Sequence, residues 1–73
     1  MNIKPGIYKH FKGKLYRVLF IAKHSETLED MVVYEALYKS PIGRYWIRPA
    51  AMFQEHVLIN GESTPRFIRM EDK

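Results

Sequence analysis

The side chains with chemistry to offer are three histidines, a Ser–Glu turn segment, and arginines set among aromatic residues. His24-Ser25-Glu26 places a base, a hydroxyl and a carboxylate side by side. Adjacent residues on an extended chain point apart, so His24 cannot activate Ser25 directly. Glu26 has no second carboxylate at a recognisable spacing. The same residues suit a turn in which polar side chains satisfy nearby backbone N–H groups. His10, His24 and His56 fit no familiar metal-ligand spacing and read as separate surface side chains; with no cysteine in the chain, thiolate metal sites and disulfides are excluded as well. Phosphate-cradling glycine loops and a dinucleotide fingerprint are absent. The expectation is a non-enzymatic protein without metal or cofactor; catalysis centred on His24 and Glu26 is the least favoured alternative and needs both side chains to converge on one pocket.

The richer set is basic and aromatic. In Arg44-Tyr45-Trp46-Ile47-Arg48-Pro49, strand alternation puts Arg44, Trp46 and Arg48 on one face. That sets the single tryptophan between two guanidinium groups. Arg17 interrupts an apolar strand face, Arg66 follows Pro65, and Tyr8, Tyr34 and Tyr38 would come near them in a closed barrel. Aromatic faces stack on bases and guanidinium groups bond phosphates, so this composition can bind RNA or single-stranded DNA. It equally suits a protein or peptide segment with carboxylates for the arginines. A third reading has Trp46 covering the core, with the arginines stacked over it.

Seventy-three residues make a single domain with one modest core. The 47% hydrophobic content is too high for a disordered chain. No apolar run approaches the ~20 residues of a membrane span, and Met1 to Gly6 lacks a signal peptide's apolar segment. A cytoplasmic location, in a bacterial style of small protein, is expected. The formal charge is +4, and the acids cluster at Glu26, Glu29 and Asp30 and at Glu71 and Asp72. Residues 4 to 23 are therefore almost purely basic. That balance suits attraction to polyanions and ordinary solubility alike.

The elements that must position these residues are short. Pro5-Gly6 opens the domain, a strand runs from Ile7 to Phe11, and Lys12-Gly13 turns the chain. Leu15 to Lys23 is a second strand, apolar on both faces in its middle, which predicts a sharply bent strand shared by two halves of a small barrel. A loop from His24 to Asp30 follows, with room for one helical turn at Thr27 to Asp30. Met31 to Tyr38 reads as a third strand through its Val-Val-Tyr. Ser40-Pro41-Ile42-Gly43 is a turn. The anchor strand then runs to Arg48, where proline stops regular pairing, and Ala50 to Phe53 forms a single helical turn. His56 to Ile59 is a fifth strand ended by Asn60-Gly61, a strong hairpin signal, with Arg66 to Arg69 as its expected partner. Five or six short strands and one helical turn describe an all-β, small SH3-like barrel. A small open, bent sheet with the same strand order is the alternative.

Several segments together, Lys4-Pro5-Gly6-x-Tyr8-x-His10-x-Lys12-Gly13, His24-Ser25-Glu26-Thr27, Val32-Val33-Tyr34-x-Ala36-Leu37-Tyr38, Trp46-x-Arg48-Pro49-x-x-Met52-Phe53 and Pro65-Arg66-Phe67, resemble the bacterial family called domain of unknown function 1653. The resemblance spans nearly the whole chain, in order. It implies an SH3-like roll and carries no assigned activity. It marks His24, Glu26, Trp46, Arg48 and Arg66 as motif positions. The turn Ser40 to Arg44, with an apolar Ile42, departs from the shorter and more polar turn the family would place there.

Overall fold

The computed structural model describes residues 3–70; Glu71 and Asp72 of the acidic tail and the first two residues lie outside them. Seven strands and one helical turn follow in order: β1 (Gly6–His10), β2 (Leu15–Lys23), β3 (Asp30–Ala36), β4 (Tyr45–Pro49), α1 (Ala50–Phe53), β5 (His56–Ile59), β6 (Glu62–Pro65) and β7 (Phe67–Arg69). Five form an antiparallel sheet in the order β4-β3-β2-β1-β7, while β5 and β6 make a separate hairpin. The architecture is an all-β, small barrel-like fold, as expected, with more strands than the five or six read from sequence.

The bend in β2 has a specific cause. Val18 pairs with Tyr34 and Phe20 with Val33, so Leu19 is an extra residue with no partner across the ladder. Such a bulge bends the strand and reverses which residues face inward. Tyr16 and Val18 point to the core before it, and Ile21 packs on the core after it, while Phe20 is left exposed. Two apolar faces in the sequence are thus one inward face that changes register.

Pro49 makes the last β3–β4 pair, opposite Met31, and the chain turns directly into α1. Ala50 and Phe53 are buried, while Met52 remains exposed. The one-turn helix expected at Thr27 to Asp30 does not form: Leu28 adopts φ 63° and Asp30 already belongs to β3. Asn60 and Gly61, both at positive φ (52° and 83°), make the tight hairpin turn their types favour. The partner strand differs from expectation. It is β6, immediately after the turn, with His56 opposite Pro65. Arg66 then leads into β7, which pairs instead with β1.

That last pairing brings Phe67 under α1. Its ring stacks on Phe53 with centroids 4.1 Å apart and planes 5° from parallel. Tyr8 and Tyr34 meet Phe53 edge-on, and Tyr16 and Tyr34 meet Phe67 likewise. Phe53→Leu keeps most of the buried apolar volume but removes the stack. It is expected to cost about 1–2 kcal/mol in urea denaturation; a cost below a few tenths of a kcal/mol would show that the stack does not hold the two edges together.

Candidate functional site

On the inward face of β4, Trp46 lies opposite Tyr34 and Arg48 opposite Val32. Tyr16, from β2, contacts Tyr34 edge-on at 5.4 Å and Tyr38 at the same distance. These residues, with Ser40, Pro41 and Ile42 of the connection before β4, line a pocket of about 290 Å³. Its walls are aromatic. Its polar groups are phenol, hydroxyl, indole and guanidinium, with no carboxylate among the lining residues.

Several of these donors are under-used. Arg48 makes one long contact, Nε to the Tyr34 hydroxyl at 3.5 Å, and its Cζ lies 5.9 Å from the Phe67 ring centre. Trp46 Nε1 is enclosed and finds no acceptor, which costs about 1–3 kcal/mol. The Tyr16 and Tyr38 hydroxyls bond each other at 2.8 Å. Burial, then this bond to Tyr38, pushes the Tyr16 phenol well above its ordinary range, so it stays protonated.

The structure divides the residues singled out from sequence. Trp46, Arg48, Tyr34 and Tyr38 meet in the pocket. Tyr8 does not: it is buried in the core, its hydroxyl donating to the Lys4 carbonyl. Arg44 does not flank Trp46 either. It lies just before β4, outside the regular ladder, and its guanidinium reaches across to Glu35, with Nε and Nη2 both 2.7 Å from Oε2. This pair lines a neighbouring cleft with Lys39 and Ser40. Arg17 is exposed on the outer face, opposite Glu35 in the ladder. Arg66 pairs with Glu55 at 3.3 Å, and its Nε is enclosed without an acceptor.

His24 and Glu26 belong to a turn. The His24 Nδ1 accepts from the Glu26 and Thr27 backbone N–H groups, while Thr27 Oγ1 accepts from the Glu29 N–H. Glu26 is exposed, and neither residue lines the aromatic pocket. Sequence reasoning missed Tyr16, Ser40, Pro41 and Ile42. The alternation of Tyr16 with Val18 was a usable signal for its face, but its register against Tyr34 was not.

The difference between the arginines is testable. Arg44 neutralises Glu35, which is only 7% exposed, so Arg44→Ala strands a buried carboxylate. Arg48 has no carboxylate partner among the described residues, and Arg48→Gln gives up one long contact to the neutral Tyr34 hydroxyl and strands no charge. Urea midpoints should therefore fall further for Arg44→Ala than for Arg48→Gln; the reverse order would contradict this assignment of partners.

His10 provides a pH test. Burial, then the charges of Arg66, Arg48 and Lys12, hold its imidazole below the ordinary value of 6.5. The unfolded chain then binds the proton more readily than the folded one. The His10 contribution to stability is complete above about pH 6.5 and is lost as pH falls through that value toward the lowered folded pKa. His10→Gln should flatten this part of the stability profile, read from urea midpoints across pH 5 to 8.

Comparison with known proteins places this geometry. No curated protein matches the chain. A crystal structure of a DUF1653 protein from Bordetella bronchiseptica superimposes with a TM-score of 0.86 at 31% identity, covering 99% of this chain and 96% of that one. The family model described as a protein of unknown function (DUF1653) matches residues 6–69, from the first residue of β1 to the last of β7. The chain therefore belongs to the DUF1653 family.

Proposed function

We propose that this chain is a cytoplasmic binding module that takes single-stranded RNA or DNA weakly, with one base in the aromatic pocket and its phosphate near Arg48. The observation that carries this reading is Arg48 itself: a half-buried guanidinium at a donor-lined pocket, with no carboxylate partner among the described residues. Such a pocket asks for a ligand that brings acceptors and negative charge. Trp46, Tyr34 and Tyr38 offer π-faces that any base can meet, and each stacked base contributes about 1–3 kcal/mol. The enclosed Trp46 N–H, without an acceptor among the described residues, is a further donor in the residue that lines this pocket. The +4 charge adds long-range attraction for a polyanion.

Trp46 is the single tryptophan, so its fluorescence reports the pocket directly. Titration with a mixed-sequence single-stranded octanucleotide RNA should change Trp46 emission, with affinity falling as salt rises from 50 to 200 mM. Two phosphate contacts would give about a sevenfold loss. Tyr38→Ala should weaken binding by at least about fivefold, and Arg48→Gln should lower both the affinity and its salt dependence, each measured well below the variant's own urea midpoint, because Tyr38 also bonds the Tyr16 hydroxyl and Arg48 the Tyr34 hydroxyl. Emission that does not respond, or a response independent of salt, overturns the reading. A response to an acidic peptide in place of RNA would assign the pocket to a protein segment.

A further inference from the structure

A set of basic side chains gathers beside this pocket, near Phe67. His10 comes from β1, Arg48 from β4, and Arg66 immediately precedes β7. The His10 ring lies 4.9 Å from the Phe67 ring, edge-on, and Arg48 Cζ lies 5.9 Å from it. Arg66 is fixed by its backbone, whose N–H donates to the Glu55 carbonyl at 2.9 Å and whose carbonyl accepts from the Phe11 N–H at 3.0 Å. Two basic side chains from distant parts of the chain are thus held against one ring, and Arg66, the residue before that ring, is near enough for its charge to act on His10.

Among the described residues their charge is poorly compensated. Glu55 pairs with Arg66 across 3.3 Å but is itself about half exposed, where water screens the interaction. Arg66 Nε has no acceptor. The groups that act on His10 are Arg66, Arg48 and Lys12, all cationic. The remaining neighbours of His10, the rings of Phe11, Tyr16 and Phe67, carry no charge at neutral pH. The Lys12 backbone N–H donates to His10 Nδ1 at 3.1 Å, which fixes the neutral tautomer with its proton on Nε2. That N–H has no acceptor among the described residues.

We infer that His10, Arg48 and Arg66 form an oxyanion site that takes a phosphate group. Guanidinium donors match phosphate geometry and give charge-assisted bonds, and a dianion supplies countercharge that the described residues provide only through Glu55. The source is either the backbone of a strand whose base enters the aromatic pocket, in which case the inference rests on the functional reading above, or a small phosphate ester. Arg48 is common to both sites, so a base and its phosphate occupy them together.

The test follows the three histidines by NMR in the whole chain, with inorganic phosphate, an unphosphorylated nucleoside and the single-stranded octanucleotide as separate probes. Phosphate should raise the His10 pKa by about one unit, because an anion favours the imidazolium. His24 and His56 serve as internal controls and should not move, and the nucleoside should leave His10 unchanged. Arg66→Gln and Arg48→Gln should each weaken phosphate at least about tenfold. If one variant folds poorly, the other still decides the matter. Movement of His10 with phosphate and with the octanucleotide supports the site and assigns it to a strand backbone. Movement with phosphate alone supports the site, assigns it to a small ester and removes the nucleic-acid reading. Trp46 emission that responds to the octanucleotide while His10 stays still under every probe overturns the site and leaves strand binding standing. Equal shifts of all three histidines overturn it as well.

Discussion

The contact on which this domain turns is the stack of Phe53 on Phe67. The two rings come from opposite ends of the five-stranded sheet: Phe53 sits one helical turn past edge strand β4, and Phe67 begins edge strand β7. Parallel rings at 4.1 Å fasten those edges across the concave face, so the sheet curls instead of lying open. Pro49 makes the arrangement possible. It ends the ladder at Met31 and turns the chain at once into α1, leaving no slack between Trp46 on the strand and Phe53 on the helix. Tyr8, Tyr16 and Tyr34 then pack their edges against the stacked pair. The residues that line the pocket and those that build the core are neighbours in one aromatic cluster, so the pocket's shape follows from the closure.

Charge is distributed around that cluster in a consistent way. Glu35 points outward from β3 and is covered by Arg44, Glu55 answers Arg66, and Asp30 answers Lys23 at 2.6 Å. The Lys23 ammonium, by hydrogen bond first, holds the Asp30 carboxyl below its usual range. Each of these acids belongs to a pair away from the pocket lining. The concave side therefore keeps the cation Arg48 and a protonated phenol at Tyr16, with His10 held neutral nearby. A net charge of +4 says little by itself; the placement of the unanswered part of it says more.

Much of this was legible in the sequence because it rests on local rules. Proline stopping a ladder, Asn-Gly making a hairpin turn, and β-branched residues favouring extended structure all act within a few residues. The strands through β4, the turn of helix and the shared face of Trp46 and Arg48 followed from them, with small shifts at the strand ends; that Tyr34 and Tyr38 line the same pocket depends on how the sheet closes. What escaped depends on long-range choices. The hairpin partner was misplaced because Pro65 looks like an interruption, yet it can close β6 as its terminal residue while β7 pairs back to β1. The bulge at Leu19 is invisible to simple alternation, since it changes the alternation itself. Arg44 was assigned to the Trp46 face by strand parity, but it precedes the regular strand and its flexible side chain follows the nearest carboxylate. The separation of His24 and Glu26 from the pocket reflects a turn whose own backbone donors take the imidazole nitrogen.

Core cover alone is an incomplete account of Trp46. A tryptophan laid over Tyr34 buries apolar area as a phenylalanine or leucine would, but only tryptophan encloses an N–H with nothing to bond it. Tyr16, by contrast, satisfies its hydroxyl against Tyr38, so the fold can provide partners on this face. Folded chains tend to concentrate such local deficits where a ligand completes the structure. Among the described residues, two enclosed donors have no acceptor, Trp46 Nε1 and Arg66 Nε, and the Arg48 guanidinium has no carboxylate. Each deficit is modest. Together they share one sign, an excess of donors over acceptors, and that excess is the physical ground for expecting an acceptor-rich anion at this end of the barrel.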